Sequence, residues 1–170
     1  MRNFFISLCL SLCICLVGCC DTNKSADNNK RIFIPRLTAP DKNNRCFYSD
    51  NIFYKSGFGM PNCTAYAWGR AYELLKKKPR LCLSDACNWY SYNSKSKIYP
   101  FGNRPKLGAI ACFDNKYGGH VAVVERISKN TVTFSNSAYN GKLFYLTYAS
   151  IKEKNPCRKD WDFKGYIYII

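Results

Sequence analysis

Met60-Pro61-Asn62-Cys63-Thr64-Ala65-Tyr66-Ala67-Trp68-Gly69-Arg70 is the stretch on which the fold turns. It opens with turn residues and becomes apolar at helical spacing. Pro61 breaks the preceding chain, and Asn62 is by type an N-cap. Ala65, Trp68, Ala71 and Tyr72 then share one face of a helix over about 62–76, with Pro79 beyond its end. Cys63 therefore falls in the first turn of a buried helix. Unpaired backbone N–H groups and the positive end of the helix dipole meet there, and both favour a thiolate. A cysteine so placed is a candidate nucleophile. It needs a base, and the base needs a group to orient it.

Downstream, the periodicity changes from helix to strand. Ser84 to Tyr90 reads as a second short helix capped by Ser84, and 91–104 as a polar loop. Strands are expected at 109–113, 120–127, 131–136, 142–148 and 161–170, separated by turn residues. Helices followed by an antiparallel meander make the class α+β, with the helices packed on the sheet. The chain has one histidine, His120, and it opens a strand after Gly118-Gly119. If 128–130 form a three-residue hairpin loop, Ile127 faces Thr131 and Ala122 faces Asn136. His120 and Asn136 then lie diagonally on one face, and the Asn136 amide oxygen can accept the Nδ1–H of His120.

The N-terminal region has a different character. Arg2 precedes an apolar run from Phe4 to Val17, a secretory signal pattern too short for an ordinary spanning helix. Leu16-Val17-Gly18-Cys19 resembles a bacterial lipobox, which implies lipidation of Cys19; a plain signal peptide is the simpler reading. Residues 20–44 read as a polar tether, and 45–170 as the folded domain. Arg2 is the only base within 1–19, so 25 of the 26 Lys and Arg face the 11 acids in the rest of a chain of net charge +15. Such a surface suits an anionic wall or membrane. No nucleic-acid motif accompanies it, and Lys76-Lys77-Lys78 sits at a helix end, where cations are favoured anyway.

Four groups of residues together resemble a known family. They are Cys63-Thr64-Ala65-Tyr66-Ala67-Trp68-Gly69-Arg70, Leu107-Gly108-Ala109-Ile110, Gly119-His120-Val121-Ala122-Val123-Val124-Glu125 and Phe134-Ser135-Asn136-Ser137-Ala138-Tyr139. In order and spacing they look like a CHAP domain, the cysteine- and histidine-dependent amidohydrolase/peptidase. The last group resembles the version found in phage lysins. The resemblance implies a papain-like fold and a peptidoglycan hydrolase that is either an N-acetylmuramoyl-L-alanine amidase or a peptide endopeptidase. It makes Cys63 the nucleophile, His120 the base and Asn136 the orienting group, in a place often held by Glu. Ala138 sits where many members have Asn. Some members bind calcium through acids just before the Cys; here that stretch offers only Asp50, so neither metal nor cofactor is expected. The chain has no Gln, so Asn62 or a backbone N–H is expected to hold the oxyanion.

Trp68, Trp89 and Tyr139 read as substrate-groove residues or as core, and Arg70 as a solvated or paired charge. Outside the signal region, Cys46, Cys82, Cys87, Cys112 and Cys157 accompany Cys63. Cys82 and Cys87 are near enough to bridge, but no pairing is assigned, and Cys112 reads as inert core. The expected partners are peptidoglycan, anionic wall polymers and, through a lipid anchor, a membrane. The expected location is the cell envelope, anchored or secreted. A non-catalytic wall-binding surface lipoprotein with the same fold is the alternative.

Overall fold

The central helix begins where its cap residue predicts. In the computed structural model, which describes residues 32–153, 155–156 and 161–170, α2 spans Cys63–Leu75. The Asn62 side chain accepts the Thr64 N–H, and Lys76 ends the helix in a left-handed conformation. A short helix, α1 (Ile52–Lys55), precedes it inside a stretch that reads as loop. Asn51 caps α1 and also donates to the carbonyls of Cys46 and Ala65, tying α1 to α2.

Helix α3 spans Cys87–Ser96, so residues 91–96 are helical rather than loop. Sequence periodicity misses this half because α3 buries only Trp89 and Asn93. Its polar side chains are satisfied locally: Ser91, Ser94 and Ser96 each donate to a carbonyl one turn back. Asn93 exchanges two hydrogen bonds with the Tyr99 backbone. Ser84 is not the cap. Ala86 occupies that position with no side-chain bond, and the Cys87 N–H donates to the Gly118 carbonyl 2.9 Å away. This cap comes from a distant loop, which local sequence cannot reveal. Gly119 is needed there: its φ is +78°, and a Cβ would lie 2.5 Å from the Phe113 carbonyl oxygen and 2.7 Å from the Cys87 nitrogen.

Six antiparallel strands follow: β1 (Phe101–Gly102), β2 (Ile110–Asp114), β3 (His120–Ile127), β4 (Thr131–Asn136), β5 (Tyr145–Ser150) and β6 (Asp162–Ile167). The spatial order is β1-β6-β2-β3-β4-β5, so β2 to β5 form the expected meander. The last strand returns to pair with β2, and β1, absent from the sequence reading, adds beyond it. Strand β5 starts later than the expected Lys142. The α+β class and the packing of helices on an antiparallel sheet are as expected, and the arrangement is consistent with a papain-like fold.

The two sheet faces carry separate cores. Ile110, Cys112, Val121, Val123 and Ile167 pack with α2 and α3 around Tyr66, Trp68 and Trp89. Ala111, Phe113, Ala122, Val124, Val132 and Phe134 form the core of the opposite face. Full burial of such side chains stabilises the fold by about 1.5–3 kcal/mol each.

The β3–β4 register departs from the expectation at the turn and returns to it near the site. Ile127 pairs with Val132, not Thr131, and Arg126 with Thr133. A bulge between Val124 and Arg126 then absorbs one residue, Glu125, and Val124 pairs with Phe134 and Val123 with Ser135. Beyond the bulge, the pairing is the one that places Asn136 on the His120 side.

Residues 32–44 are held against the domain, and the compact unit runs from Ile32 rather than from residue 45. The Arg36 N–H donates to Glu125 and its guanidinium to Glu73, while Arg70 donates to the Ile34 carbonyl. Glu125 is fully buried and Arg70 is 4% exposed, so Arg70 is a paired charge, not a solvated one. The signal segment and Cys19 lie outside the described residues, as does Cys157. Among the described residues, no helix is long and apolar enough to cross a membrane.

Candidate active site

Helix α2 presents Cys63 at its first turn, and β3 presents His120 at its first residue. The backbone N–H groups of Val121, Thr64 and Cys63 itself face the Cys63 sulfur and lower its pKa. It therefore lies against the residue that follows His120. The thiol is 8% exposed. Burial pushes its pKa above the ordinary thiol value, the three N–H groups pull it down, and the Asp85 carboxylate adds to the push. The net direction is up. The N–H groups at the helix start act in the direction expected, toward the thiolate, but their partial charges do not offset the desolvation of a full charge.

His120 is 7% exposed, and its Nε2 lies 3.0 Å from Asn136 Oδ1. The pairing of these residues is as expected, but the ring nitrogen is Nε2, not Nδ1. The amide orientation follows from its other partners. Asn136 Nδ2 faces Thr147 Oγ1 at 3.0 Å and the Phe134 carbonyl at 3.3 Å, so it is the donor end. Oδ1 can only accept, so Nε2 carries the proton of this bond. Phe113, opposite His120 on β2, and Trp161, 5.2 Å from it edge-on, pack around the imidazole.

A cleft of about 620 Å³ opens beside the sulfur. Its walls include Phe58, Asn62, Cys63, Asp85, Tyr117 and Tyr139. Tyr139 is 63% exposed and lines the cleft as expected. Trp68 and Trp89 do not: they are 3% and 0% exposed and belong to the helix-side core, which settles their two readings in favour of packing. Asn62 is engaged in the cap. Its Oδ1 accepts from the Thr64 N–H and O–H, and its Nδ2 donates to the Phe58 carbonyl.

Thr147, Trp161 and Asp85 escaped the sequence reading as site residues. They come from β5, the approach to β6 and the approach to α3, and no local motif marks them. Among the described residues, no group of three or more His, Cys, Asp or Glu is placed to hold a metal ion. Cys46, Cys63, Cys82, Cys87 and Cys112 are all free thiols, so Cys82 and Cys87 are not bridged.

Comparison with known proteins bears on this arrangement. The N-acetylmuramoyl-L-alanine amidase sle1 of Staphylococcus aureus, in strains COL and MW2, is 28% identical over 93 residues. The match takes in 51% of this chain but only 28% of each relative, so the chain spans far less than their full length. The CHAP domain model matches residues 53–138, which contain Cys63, His120 and Asn136. With half of its length matched, the chain belongs to the CHAP family.

Proposed function

We propose that this chain hydrolyses an amide bond of bacterial peptidoglycan, with Cys63 as nucleophile, His120 as base and Asn136 as the group that orients the imidazole. The observation that carries the reading is the pairing of Asn136 Oδ1 with His120 Nε2, on the strand whose next residue, Val121, turns its backbone N–H toward the Cys63 sulfur. Family membership and the name of the staphylococcal relatives supply the reaction class and favour the amidase over the endopeptidase alternative.

The raised thiol pKa shapes the mechanism. Burial favours the protonated form of the sulfur, so the thiol proton has to be taken up as the bond forms. His120 Nδ1 takes the proton as sulfur attacks the carbonyl carbon, and the developing oxyanion is met by the Cys63 N–H and a second donor. The imidazolium then gives its proton to the departing amine. Water, deprotonated by His120, hydrolyses the thioester and restores the thiol. Asn136 stabilises the imidazolium only by its dipole, since it has no charge to offer.

The same reading places the protein outside the cytoplasm, with 1–19 as a signal segment, Cys19 as the lipid-bearing residue and a basic surface against anionic wall polymers. Incubating purified wall with the protein and weighing the released fragments identifies the bond cut. Release of intact peptides with a free N-terminal alanine is the amidase result, and cut peptides are the endopeptidase result. Undiminished release by Cys63→Ala overturns the assignment. Binding to wall without release of fragments, unchanged by Cys63→Ala, is the result of the non-catalytic alternative.

A further inference from the structure

The cleft wall carries one ionised group that the mechanism does not use. Asp85 lines the cleft before α3, on the side of the Gly118-Gly119 loop. Asp85 is exposed, so water satisfies its carboxylate until a ligand in the cleft displaces it. Every other described carboxylate has a partner. Asp50, Glu73, Asp114, Glu125 and Asp162 pair with Arg or Lys, and Asp41 and Glu153 accept backbone N–H groups. Among the described residues, Asp85 is the only acid whose side chain has no hydrogen bond or ion pair. No Lys, Arg or His lines the cleft with it. Lys55 and Lys116 are each next in sequence to a lining residue, and Lys116 holds its ammonium 5.0 Å from the Tyr117 ring centroid.

The groups around Asp85 suit a cation. Tyr139 and Phe58 are 63% and 57% exposed on the same cleft, while the Tyr117 ring already carries the Lys116 ammonium. Aromatic faces beside a carboxylate bind ammonium groups by charge and by the ring quadrupole together. The carboxylate does not help the nucleophile, because it raises the Cys63 and Cys87 thiols. A bound cation would cancel that push.

We propose that Asp85 receives a primary ammonium group of the substrate, so that the cleft selects wall peptides with a free amine near the bond cut. This rests on the hydrolase reading of the Cys63 cleft. Bulk electrostatics work against it: a wall stripped of ammonium groups is more anionic and attracts a basic protein more strongly. A preference for amine-bearing wall therefore cannot come from the net charge.

The test compares native wall with wall whose free amines have been acetylated. The wild-type protein is expected to show a KM roughly fivefold higher on acetylated wall, with the gap closing as salt is raised. Asp85→Asn should show the same KM on both walls, Asp85→Glu should keep part of the preference, and Asp85→Lys should reverse it. Equal KM values for the wild type, or a preference retained by Asp85→Asn, overturn the proposal. If the wild type cuts neither wall, the hydrolase reading fails by itself, and binding of the Cys63→Ala protein to the two walls decides the amine question. Tighter binding to native wall that Asp85→Asn abolishes supports the site, and equal binding removes it.

Discussion

Helix α2 buries a titratable group near each end, and the two respond in opposite directions. Cys63 at its first turn is desolvated, and only backbone N–H groups oppose the penalty, so its pKa rises. Glu73 near its last turn is also desolvated, but the guanidinium groups of Arg36 and Arg70 outweigh burial and its pKa falls. Full charges in contact reverse a desolvation cost that helix-end dipoles only reduce. The first end is thereby pushed toward its neutral form. The second end is locked in its ionised form, and it fastens residues 32–44 to the domain.

The sharpest test of this contrast separates activity from stability. Cys63→Ala should lower wall cleavage at least roughly 10⁴-fold while leaving the melting midpoint nearly unchanged. Arg70→Ala should do the reverse in kind. It strands Glu125, which is fully buried, and should cost about 3–5 kcal/mol, lowering the midpoint by about 10 °C in calorimetry. Asn136→Ala comes next, with kcat down about 10²-fold and KM little changed in steady-state kinetics, because the imidazole loses its orientation.

The smaller effects lie in pH. Glu73 is held below the ordinary carboxylate range, so its stabilisation is present above the unfolded-state value and lost as pH falls through the folded value. Urea unfolding between pH 6 and 3, as flagged by an unfolded Glu pKa of about 4.3, should lose about 1 kcal/mol on this account, and Glu73→Gln should flatten the loss. For the thiol the sign is opposite: its neutral form is favoured by the fold. In His120→Ala, alkylation of Cys63 should therefore titrate above the free-thiol value of about 8.5, and a midpoint below it would contradict the burial argument.

The parts of the molecule that could be read from sequence are those whose signals are local. Asn62 and the apolar face of α2 locate Cys63, and alternation in β3 and β4 locates His120 and Asn136. The parts that could not be read depend on distant residues. The N-terminus of α3 is capped by the Gly118 carbonyl, Asn136 is held by Thr147, and His120 is flanked by Trp161. Helix α3 shows no amphipathic stripe because it buries two side chains in ten residues. Residues 32–44 read as polar chain in the sequence because Arg36 looks like solvated charge until Glu73 and Glu125 are placed beside it.

The bulge at Glu125 has an effect on the far side of the sheet. Were the pairing of Ile127 with Val132 carried unbroken along the hairpin, Asn136 would stand opposite Val123, whose side chain belongs to the helix-side core. The imidazole would then be on one side of the sheet and the amide on the other. The extra residue shifts the phase by half a pleat, and the guanidinium of Arg70 grips the carboxylate of that same residue. A salt link with no part in the chemistry thus acts as the timing pin of the hairpin, deciding which way Asn136 points.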